Sequence, residues 1–332
     1  MVGPAAVHIE DGRIAAVTET ATAPDRVLAP GFVDLQVNGI GEVNVATAEG
    51  ADWERLDAAL LRQGVTAWCP TLVTAPLDSY AAALDRIAEA VTTSFIDGVH
   101  LEGPFLGGAP GAHRREFLQP IDLDWLAALP PSVRVVTLGP ELPGAESAIS
   151  LLAERGVLVS LGHSTATYEQ ALAAADAGAR LVTHLFNGMG PLHHREPGLL
   201  GAALSDDRLA TSLIADLVHV HAAALRTAFR AKPRGRVVLV TDRVAWPSGS
   251  VPRLPDGTLA GSVLAMDESI RHIVNEVGIA LDDAVAAAST TPADLLGLAD
   301  RGRIAVGARA DLVALTPELH VEQVWVGGRP HG

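Results

Sequence analysis

The sequence predicts an α/β fold, a (β/α)8 barrel of the TIM type with a small β-sandwich-like domain built from both termini. Between residues 31 and 299, eight short apolar runs alternate with longer segments of helical spacing, whereas the two ends of the chain lack such segments. This alternation predicts parallel strands joined by helical crossovers, and eight such strands close into a barrel of about 250 residues. A doubly wound open sheet is the competing fold, but no Gly-x-Gly-x-x-Gly motif follows the first run.

The predicted strands are short and apolar. In chain order they read FVDLQV, VTAWCPTLV, GVHLEG, VRVVTLGP, VLVSLGHS, RLVTHLF, LATSLIAD and RVVLVTD. Between most of them, apolar residues recur at helical spacing in DWERLDAALLRQG, LDSYAAALDRIAEAV, GAESAISLLAERG and TYEQALAAADAG. Several of these segments end in glycine, which often terminates a helix. We therefore expect residues 31–299 to form the barrel.

The two termini have a different pattern. Residues 1–30 include VHIEDGRIAAVTE, in which two β-like runs flank Asp11 and Gly12, and residues 300–332 contain similar short runs separated by tight turns. We expect residues 1–30 and 300–332 to form one small β domain beside the barrel.

Composition and charge argue against several classes of function. The 332 residues include 24 Lys and Arg against 39 Asp and Glu, a formal net charge of −15, and no basic cluster stands out. Nucleic-acid binding is therefore not expected. No apolar stretch approaches the roughly 18 residues of a membrane span, and MVGPAAVHIEDG lacks the basic start of a signal peptide. Because Cys69 is the only cysteine, no intrachain disulfide can form, and we expect a cytoplasmic protein without a membrane partner.

Polar residues stand at the ends of the predicted strands, where barrels of this type carry their chemistry. Glu102, His163 and His184 follow three different strands, and Asp242 follows the last one. One carboxylate and two imidazoles form a three-ligand set for a divalent metal with one position left for water, and Asp242 is placed to accept the proton of that water. The alternative is that backbone groups and solvent satisfy all four. His100, two residues before Glu102, is interpreted as a hydrogen-bonded interior histidine.

The chain also resembles the N-acetylglucosamine-6-phosphate deacetylases of the amidohydrolase superfamily. HLEGPFL (100–106) and THLFNGM (183–189) together are specific to that family. THLFNGM opens a longer match, THLFNGMGPLHHREPGLLGAAL (183–204). The other matching segments, in family order, are LAPGFVDLQVNG (28–39), GAHRREFL (111–118), LGHSTATYEQ (161–170), IADLVHV (214–220), LVTD (239–242) and GTLAGSVLAMD (257–267).

The resemblance implies a metal-dependent enzyme that converts N-acetyl-D-glucosamine 6-phosphate to D-glucosamine 6-phosphate and acetate in amino sugar catabolism. Glu102, His163 and His184 match the ligands of one divalent ion, zinc in most relatives and iron in some. Asp242 matches the catalytic acid and base. His113, preceded by Ala112, matches the histidine that polarises the acetyl carbonyl.

The resemblance also implies a set of substrate contacts. Asn187 and Gly188 match the pair that contacts the sugar phosphate, Arg195 and His219 match phosphate-binding positions, and Asp216 begins the strand end that leads to His219. Leu259, Ala260 and Gly261 match a segment that closes over the acyl group. In relatives the equivalent of Arg195 comes from a second subunit, which implies a homodimer.

The chain departs from the family pattern at several positions. Many amidohydrolases carry His-x-His on the first strand and bind a second ion there, whereas this chain has Gln36 and Asn38. Amides are poor ligands for transition metals, so one tight metal site is expected. Arg243 follows the catalytic aspartate, Trp246 lies in the next loop, which is shortened, and Gly188 replaces the commoner alanine.

These departures leave two alternatives open. The chain could deacetylate another N-acylated amino sugar or sugar phosphate, such as N-acetylgalactosamine 6-phosphate. It could also be a non-catalytic binding protein with the amidohydrolase fold.

Overall fold

The computed structural model describes residues 3–91, 94–247 and 249–331. The strands, in chain order, are β1 (Ala5–Glu10), β2 (Arg13–Glu19), β3 (Val27–Pro30), β4 (Phe32–Val37), β5 (Gly39–Ile40), β6 (Val43–Asn44), β7 (Val65–Val73), β8 (Val99–Glu102), β9 (Val133–Leu138), β10 (Leu158–Leu161), β11 (Leu181–Val182), β12 (Ala210–Leu213), β13 (Val237–Leu239), β14 (Leu312–Leu315), β15 (Val321–Val326) and β16 (Arg329–His331).

The helices alternate with the central strands. They are α1 (Ala51–Leu61), α2 (Ser79–Ala90), α3 (Leu123–Ala127), α4 (Ala145–Glu154), α5 (Tyr168–Ala177), α6 (Gly198–Ser205), α7 (Ala222–Ala231), α8 (Met266–His272), α9 (Leu281–Ala288) and α10 (Thr290–Leu295). A π-helical segment, Ile273–Val277, continues α8, and 3-10 turns cover Val45–Thr47 and Arg115–Phe117. Among the described residues, no helix has both the length and the apolar character needed to cross a membrane.

The predicted barrel is confirmed. Eight parallel strands form one sheet in the order β4-β7-β8-β9-β10-β11-β12-β13, so that each predicted strand is present and pairs with its neighbour in sequence. The helices predicted after β4, β7, β9 and β10 are also present, as α1, α2, α4 and α5. Because all eight strands run in the same direction, their carboxyl ends lie at one end of the barrel.

Hydrogen bonds beyond the strand ends bring the first and last strands together. The backbone N–H groups of Asn38 and Gly39 both donate to the carbonyl oxygen of Arg243, at 2.7 and 3.0 Å. Deeper in the barrel, the Thr241 hydroxyl donates to Asp34 Oδ2 at 2.6 Å. We call these contacts the seam, and they place residues 34–39 beside residues 241–243.

The barrel interior has two layers of different chemistry. Its lower part is apolar and contains residues such as Val33, Leu35, Ala67, Cys69 and Val135. Cys69 is fully buried, and burial raises the pKa of its thiol. The upper part is polar, and its side chains form a chain of hydrogen bonds that reaches the carboxyl ends of the strands.

That polar chain runs from strand to strand. His100 contacts Thr71 Oγ1 through Nδ1 at 3.3 Å and Thr137 Oγ1 through Nε2 at 2.8 Å. Thr137 bonds Thr183, which bonds Ser160, at 2.8 and 2.5 Å. The interpretation of His100 as a hydrogen-bonded interior residue is confirmed, and burial lowers its pKa to about 4. The layer satisfies buried polar groups directly below the barrel mouth.

Segments from both termini form antiparallel sheets beside the barrel. Strand β3 pairs with β14 in a four-stranded sheet of order β3-β14-β15-β16, and β1 pairs with β2 in a hairpin. The N–H of Ile14 donates to the carbonyl of Ala308 at 2.9 Å, and Ile14 packs with Ala310 and Leu312 in a small core. The division into residues 1–30, 31–299 and 300–332 stays a prediction.

Candidate active site

The four strand-end residues meet at the mouth of the barrel. Glu102 is the last residue of β8, whereas His163, His184 and Asp242 lie two or three residues beyond β10, β11 and β13. The predicted strand around His184 is shorter than expected, because the backbone leaves β11 after Val182 and His184 has a φ of +28°. Each of the four side chains is buried.

Glu102 and two histidines form a tight cluster. Glu102 Oε1 lies 3.1 Å from His163 Nε2 and 3.0 Å from His184 Nε2, and the two imidazole nitrogens are 3.1 Å apart. His113 Nε2 lies 3.2 Å from His163 Nε2. Ligand atoms of Glu102, His113 and His163 all fall within 4.8 Å of one another, so His113 belongs to the same group of side chains.

The spacing of these atoms fits a metal site. Ligand atoms that bind one ion tetrahedrally, at about 2.0–2.1 Å, are separated by roughly 3.3 Å. The separations between Glu102 Oε1, His163 Nε2 and His184 Nε2 are close to this value. A carboxylate with two imidazoles is a donor set that suits zinc or iron and leaves a coordination position for water.

The hydrogen bonds on the outer ring nitrogens distinguish His163 from His113. His163 Nδ1 contacts the carbonyl oxygen of Ala109 at 3.2 Å, so Nδ1 carries the proton and Nε2 keeps its lone pair. His113 Nδ1 accepts the backbone N–H of Thr74 at 3.4 Å and contacts the Thr74 hydroxyl at 2.8 Å. Its Nε2 then carries the proton, which makes it a hydrogen-bond donor rather than a metal ligand. Burial lowers the pKa of His113 to about 3, so the ring is neutral.

Two amides hold the carboxylate of Asp242. Asn38 Nδ2 and Gln36 Nε2 both donate to Asp242 Oδ1, at 2.8 and 3.0 Å. Gln36 Nε2 also donates to Glu102 Oε1 at 3.0 Å. These amides therefore use their N–H groups as donors at the place where a second ion would need ligands. Burial and the nearby charge of Glu102 raise the pKa of Asp242 to about 7, which suits an acid and base at neutral pH.

A cavity of about 440 Å³ opens above the cluster. It is lined by most of the predicted substrate residues, namely Ala112, His113, Asn187, Gly188, His219, Leu259, Ala260 and Gly261. Asp216 is not on its wall but binds His219 Nδ1 through Oδ2 at 2.6 Å and so orients that ring. Arg195 also lies off the wall of this chain's cavity, is exposed, and contacts His194 Nε2 at 2.8 Å.

The structure shows where three departures from the family pattern lie. The Arg243 guanidinium extends to the carbonyl oxygen of Leu264 at 3.5 Å and has Glu268 and Asp34 as charged neighbours. It therefore belongs to the seam and not to the cavity. At Gly188, where φ is +60°, an added Cβ would lie 2.8 Å from His163 Nδ1, so glycine leaves room for that ring. Trp246 Nε1 donates to Ser250 Oγ at 2.9 Å and does not line the cavity.

Another carboxylate that follows a strand, Glu141, has a structural role. Glu141 accepts backbone N–H groups from Gly108 and Thr165, at 2.9 and 2.8 Å, and the Ser164 hydroxyl at 2.6 Å. It thereby joins the loop that follows β8 to the loop that carries His163.

Sequence reasoning missed several residues of the cavity, notably Thr74, Asn44 and Arg114. Thr74 lies one residue beyond the predicted strand β7, and this position could have identified it as a candidate site residue. Arg114 stands next to His113 within the GAHRREFL segment, so its proximity to a candidate site residue could have identified it.

Comparison with known proteins shows extensive similarity. A sequence model described as "Amidohydrolase family" matches residues 27–330. The N-acetylglucosamine-6-phosphate deacetylase of Bos taurus is 39% identical, over 99% of this chain and 88% of the relative. The N-acetylgalactosamine-6-phosphate deacetylase of Escherichia coli O157:H7 is also 39% identical, over 97% of this chain and 93% of the relative.

A solved structure is similar over nearly the whole chain. It is a mutant N-acetyl-D-glucosamine-6-phosphate deacetylase from Mycobacterium smegmatis in complex with N-acetyl-D-glucosamine-6-phosphate. It is 34% identical and superposes with a TM-score of 0.91, covering 98% of this chain and 93% of that one.

Proposed function

The chain belongs to the amidohydrolase family, and on this premise we propose that it is a deacetylase of N-acetylglucosamine 6-phosphate. The reaction releases acetate and glucosamine 6-phosphate, a step of amino sugar catabolism. The convergence of Glu102, His163 and His184 within 3.1 Å beside the buried Asp242 is the observation that carries this proposal.

Glu102, His163 and His184 would hold one divalent ion, with zinc as the proposed metal and iron as the alternative. When bound, such an ion supplies the positive charge that activates a water molecule and polarises a carbonyl. The contact of His163 Nδ1 with Ala109 supports its role, because it directs the Nε2 lone pair into the cluster.

The other residues bind the amide and move the proton. His113 Nε2–H donates a hydrogen bond to the acetyl oxygen as negative charge builds on it. Asp242 takes the proton of the attacking water and returns it to the departing nitrogen, which leaves as the amine while the acyl group leaves as acetate. Since Gln36 and Asn38 both donate to Oδ1, Oδ2 is the Asp242 oxygen that takes this proton.

The remaining cavity residues would hold the sugar and the acetyl group. Asn187 and Gly188 contact the sugar phosphate, with His219 and, from a second subunit, Arg195 as further phosphate contacts. Leu259, Ala260 and Gly261 close over the acetyl group, next to Ala112. The exposed position of Arg195 supports a homodimer, because its side chain is available to a neighbouring subunit. The absence of any cysteine other than Cys69 supports the cytoplasm as the location.

N-acetylgalactosamine 6-phosphate is the second candidate substrate. The relative from Escherichia coli O157:H7 that is named for this substrate is as similar to the chain as the deacetylase of Bos taurus, at 39% identity each. The two sugars differ only in the configuration of one hydroxyl group, so both fit the chemistry of the cluster.

A screen of acetate release tests the proposal. The protein, reconstituted with zinc or iron, is given N-acetylglucosamine, N-acetylgalactosamine and the 6-phosphate of each. We expect the highest kcat/KM with N-acetylglucosamine 6-phosphate. Preference for the galacto isomer would favour the second candidate, and no acetate from any of the four would contradict a deacetylase.

A further inference from the structure

The charge of the cavity wall does not by itself favour a phosphorylated substrate. A phosphate monoester carries a charge of about −1.5 to −2 at neutral pH. The carboxylates of Glu102 and Asp242 on the cavity wall would balance the charge of the proposed divalent ion, and the whole chain has a formal charge of −15. Because distant charges are screened within about 8 Å at physiological salt, recognition of the phosphate needs a cation on the wall itself.

Among the described residues that line the cavity, Arg114 is the only lysine or arginine. The Nδ1 atom of the neighbouring His113 accepts the backbone N–H of Thr74, so this ring carries a single proton, on Nε2, and adds no positive charge. His219 is already hydrogen-bonded to the carboxylate of Asp216 at 2.6 Å. Arg195 lies off the wall of this chain's cavity, so Arg114 is the arginine that the chain supplies to the wall of its own cavity.

The Arg114 guanidinium is paired with a neighbouring carboxylate but keeps one edge free for a ligand. Its Nε and Nη2 both contact Glu116 Oε1, at 2.7 and 2.6 Å, and the guanidinium carbon lies 4.5 Å from the centre of the Phe117 ring. Within the described part of the chain, the Nη1 group has no hydrogen-bond partner. A guanidinium with a free edge can offer paired N–H donors to phosphate oxygens.

We propose that Arg114 is a phosphate-binding residue that makes the cavity selective for 6-phosphorylated N-acetyl amino sugars. Glu116 competes with the phosphate for the guanidinium, so this ion pair sets the affinity. The inference rests on the proposed deacetylase function and adds a residue to its substrate site. It also predicts that phosphate recognition is retained in part by a single subunit, since Arg114 does not come from a partner.

Three variants test the role of Arg114 in the intact, metal-loaded protein. Arg114→Gln removes the cation, whereas Arg115→Gln makes the same change of charge at an exposed neighbour that is not on the cavity wall. Glu116→Gln removes the competing carboxylate. Arg114 is 67% exposed, so its replacement is not expected to disturb folding, and equal metal content of all three variants checks this.

The kinetic constants for N-acetylglucosamine 6-phosphate and unphosphorylated N-acetylglucosamine are then compared. We expect Arg114→Gln to raise KM for the phosphorylated substrate about two- to fivefold, the effect of one charge-assisted contact in a solvent-exposed place, with kcat little changed. KM for the unphosphorylated substrate stays near the wild-type value. Glu116→Gln lowers KM for the phosphorylated substrate a few-fold, and Arg115→Gln has little effect.

Inorganic phosphate provides a readout that does not need turnover of a poor substrate. Its inhibition constant should rise in Arg114→Gln in parallel with KM. The proposal is overturned if Arg114→Gln and Arg115→Gln change KM equally, or if Arg114→Gln affects both sugars alike. Absence of acetate release by the wild-type protein would instead contradict the proposed function.

Discussion

At the scale of single residues, three of the four central side chains share a strained backbone. His163, His184 and Asp242 have φ values of +49°, +28° and +48°, a region that residues other than glycine rarely adopt. Such conformations cost about 1–3 kcal/mol each and occur where function requires them. Here each one lies two or three residues beyond a barrel strand and turns a polar side chain into the cluster.

Replacing Asp242 tests its role in proton transfer. Asp242→Asn cannot accept the proton of water, and we expect kcat to fall by about 10²–10⁴ while the metal content stays unchanged. Acetate release and elemental analysis of the same sample measure both quantities. A variant with nearly normal kcat would show that another group is the base.

The two amides on Asp242 are expected to position it. Gln36→Leu removes the N–H donor that joins Glu102 to Asp242, and we expect a loss in kcat of roughly 10–100-fold with one equivalent of metal retained. KM should change little, because Gln36 is not on the cavity wall. A rise in KM at constant kcat would instead assign Gln36 to substrate binding.

At the scale of the secondary-structure elements, the seam connects stability to the site. Asp34 on β4 is buried and accepts hydrogen bonds from the N–H of Gln36 and from the N–H and hydroxyl of Thr241. Burial nevertheless raises its pKa to about 6. The folded protein therefore holds a proton on Asp34 at pH values where the unfolded chain has lost it.

This shift makes a prediction about stability and pH. The protonated Asp34 stabilises the fold below about pH 4, and this contribution is lost as the pH rises through about 6. Asp34→Asn has no such contribution to lose. Its free energy of unfolding, relative to that of wild type, should therefore increase by about 3 kcal/mol between about pH 4 and pH 6. Urea denaturation at pH 4 to 8 measures the difference.

Asp25→Asn is the matched control, because it removes the same charge from an exposed position. Its stability difference from wild type should vary little with pH. If Asp34→Asn behaves in the same way, Asp34 is ionised in the folded protein throughout and the account of the seam is wrong.

The sequence predicts the elements better than the contacts between them. The eight strands and four helices follow from local apolar patterns, which a single segment carries by itself. The strand around His184 was predicted too long, because the apolar residues Leu185 and Phe186 continue the pattern after the backbone has turned. The bond of Gln36 to Asp242 joins residues 206 positions apart, and nothing in either segment indicates it.

In the site, too, the sequence predicts which residues take part better than it predicts how they are arranged. Residue type and position at strand ends predict Glu102, His163 and His184, and the structure brings them together. The direction of the Arg243 side chain depends on the packing around Leu264, so the sequence left it undecided.

At the scale of the whole molecule, the proposed homodimer makes a complementation experiment possible. Arg195→Ala should raise KM for a phosphorylated substrate, and Asp242→Asn should be nearly inactive. If Arg195 acts across the interface, a mixed dimer has one site with both Asp242 and the partner's Arg195. After subunit exchange, about a quarter of wild-type activity should return with a normal KM.

A mixture that keeps the high KM of Arg195→Ala would place Arg195 in its own subunit's site or outside any site. Exchange of subunits can be verified by carrying an affinity tag on one variant only. The outcome also separates Arg195 from Arg114, because loss of Arg114 would not be complemented by a partner.

The central claim is that Glu102, His163 and His184 hold one cation on which amide cleavage depends. The most direct measurement is acetate release as a function of metal content, from metal-free protein to full loading, for wild type and Glu102→Gln. We predict activity proportional to bound metal up to about one equivalent per chain, and weak binding with little activity in Glu102→Gln. Full activity in metal-free protein, or tight binding retained in Glu102→Gln, would contradict the claim.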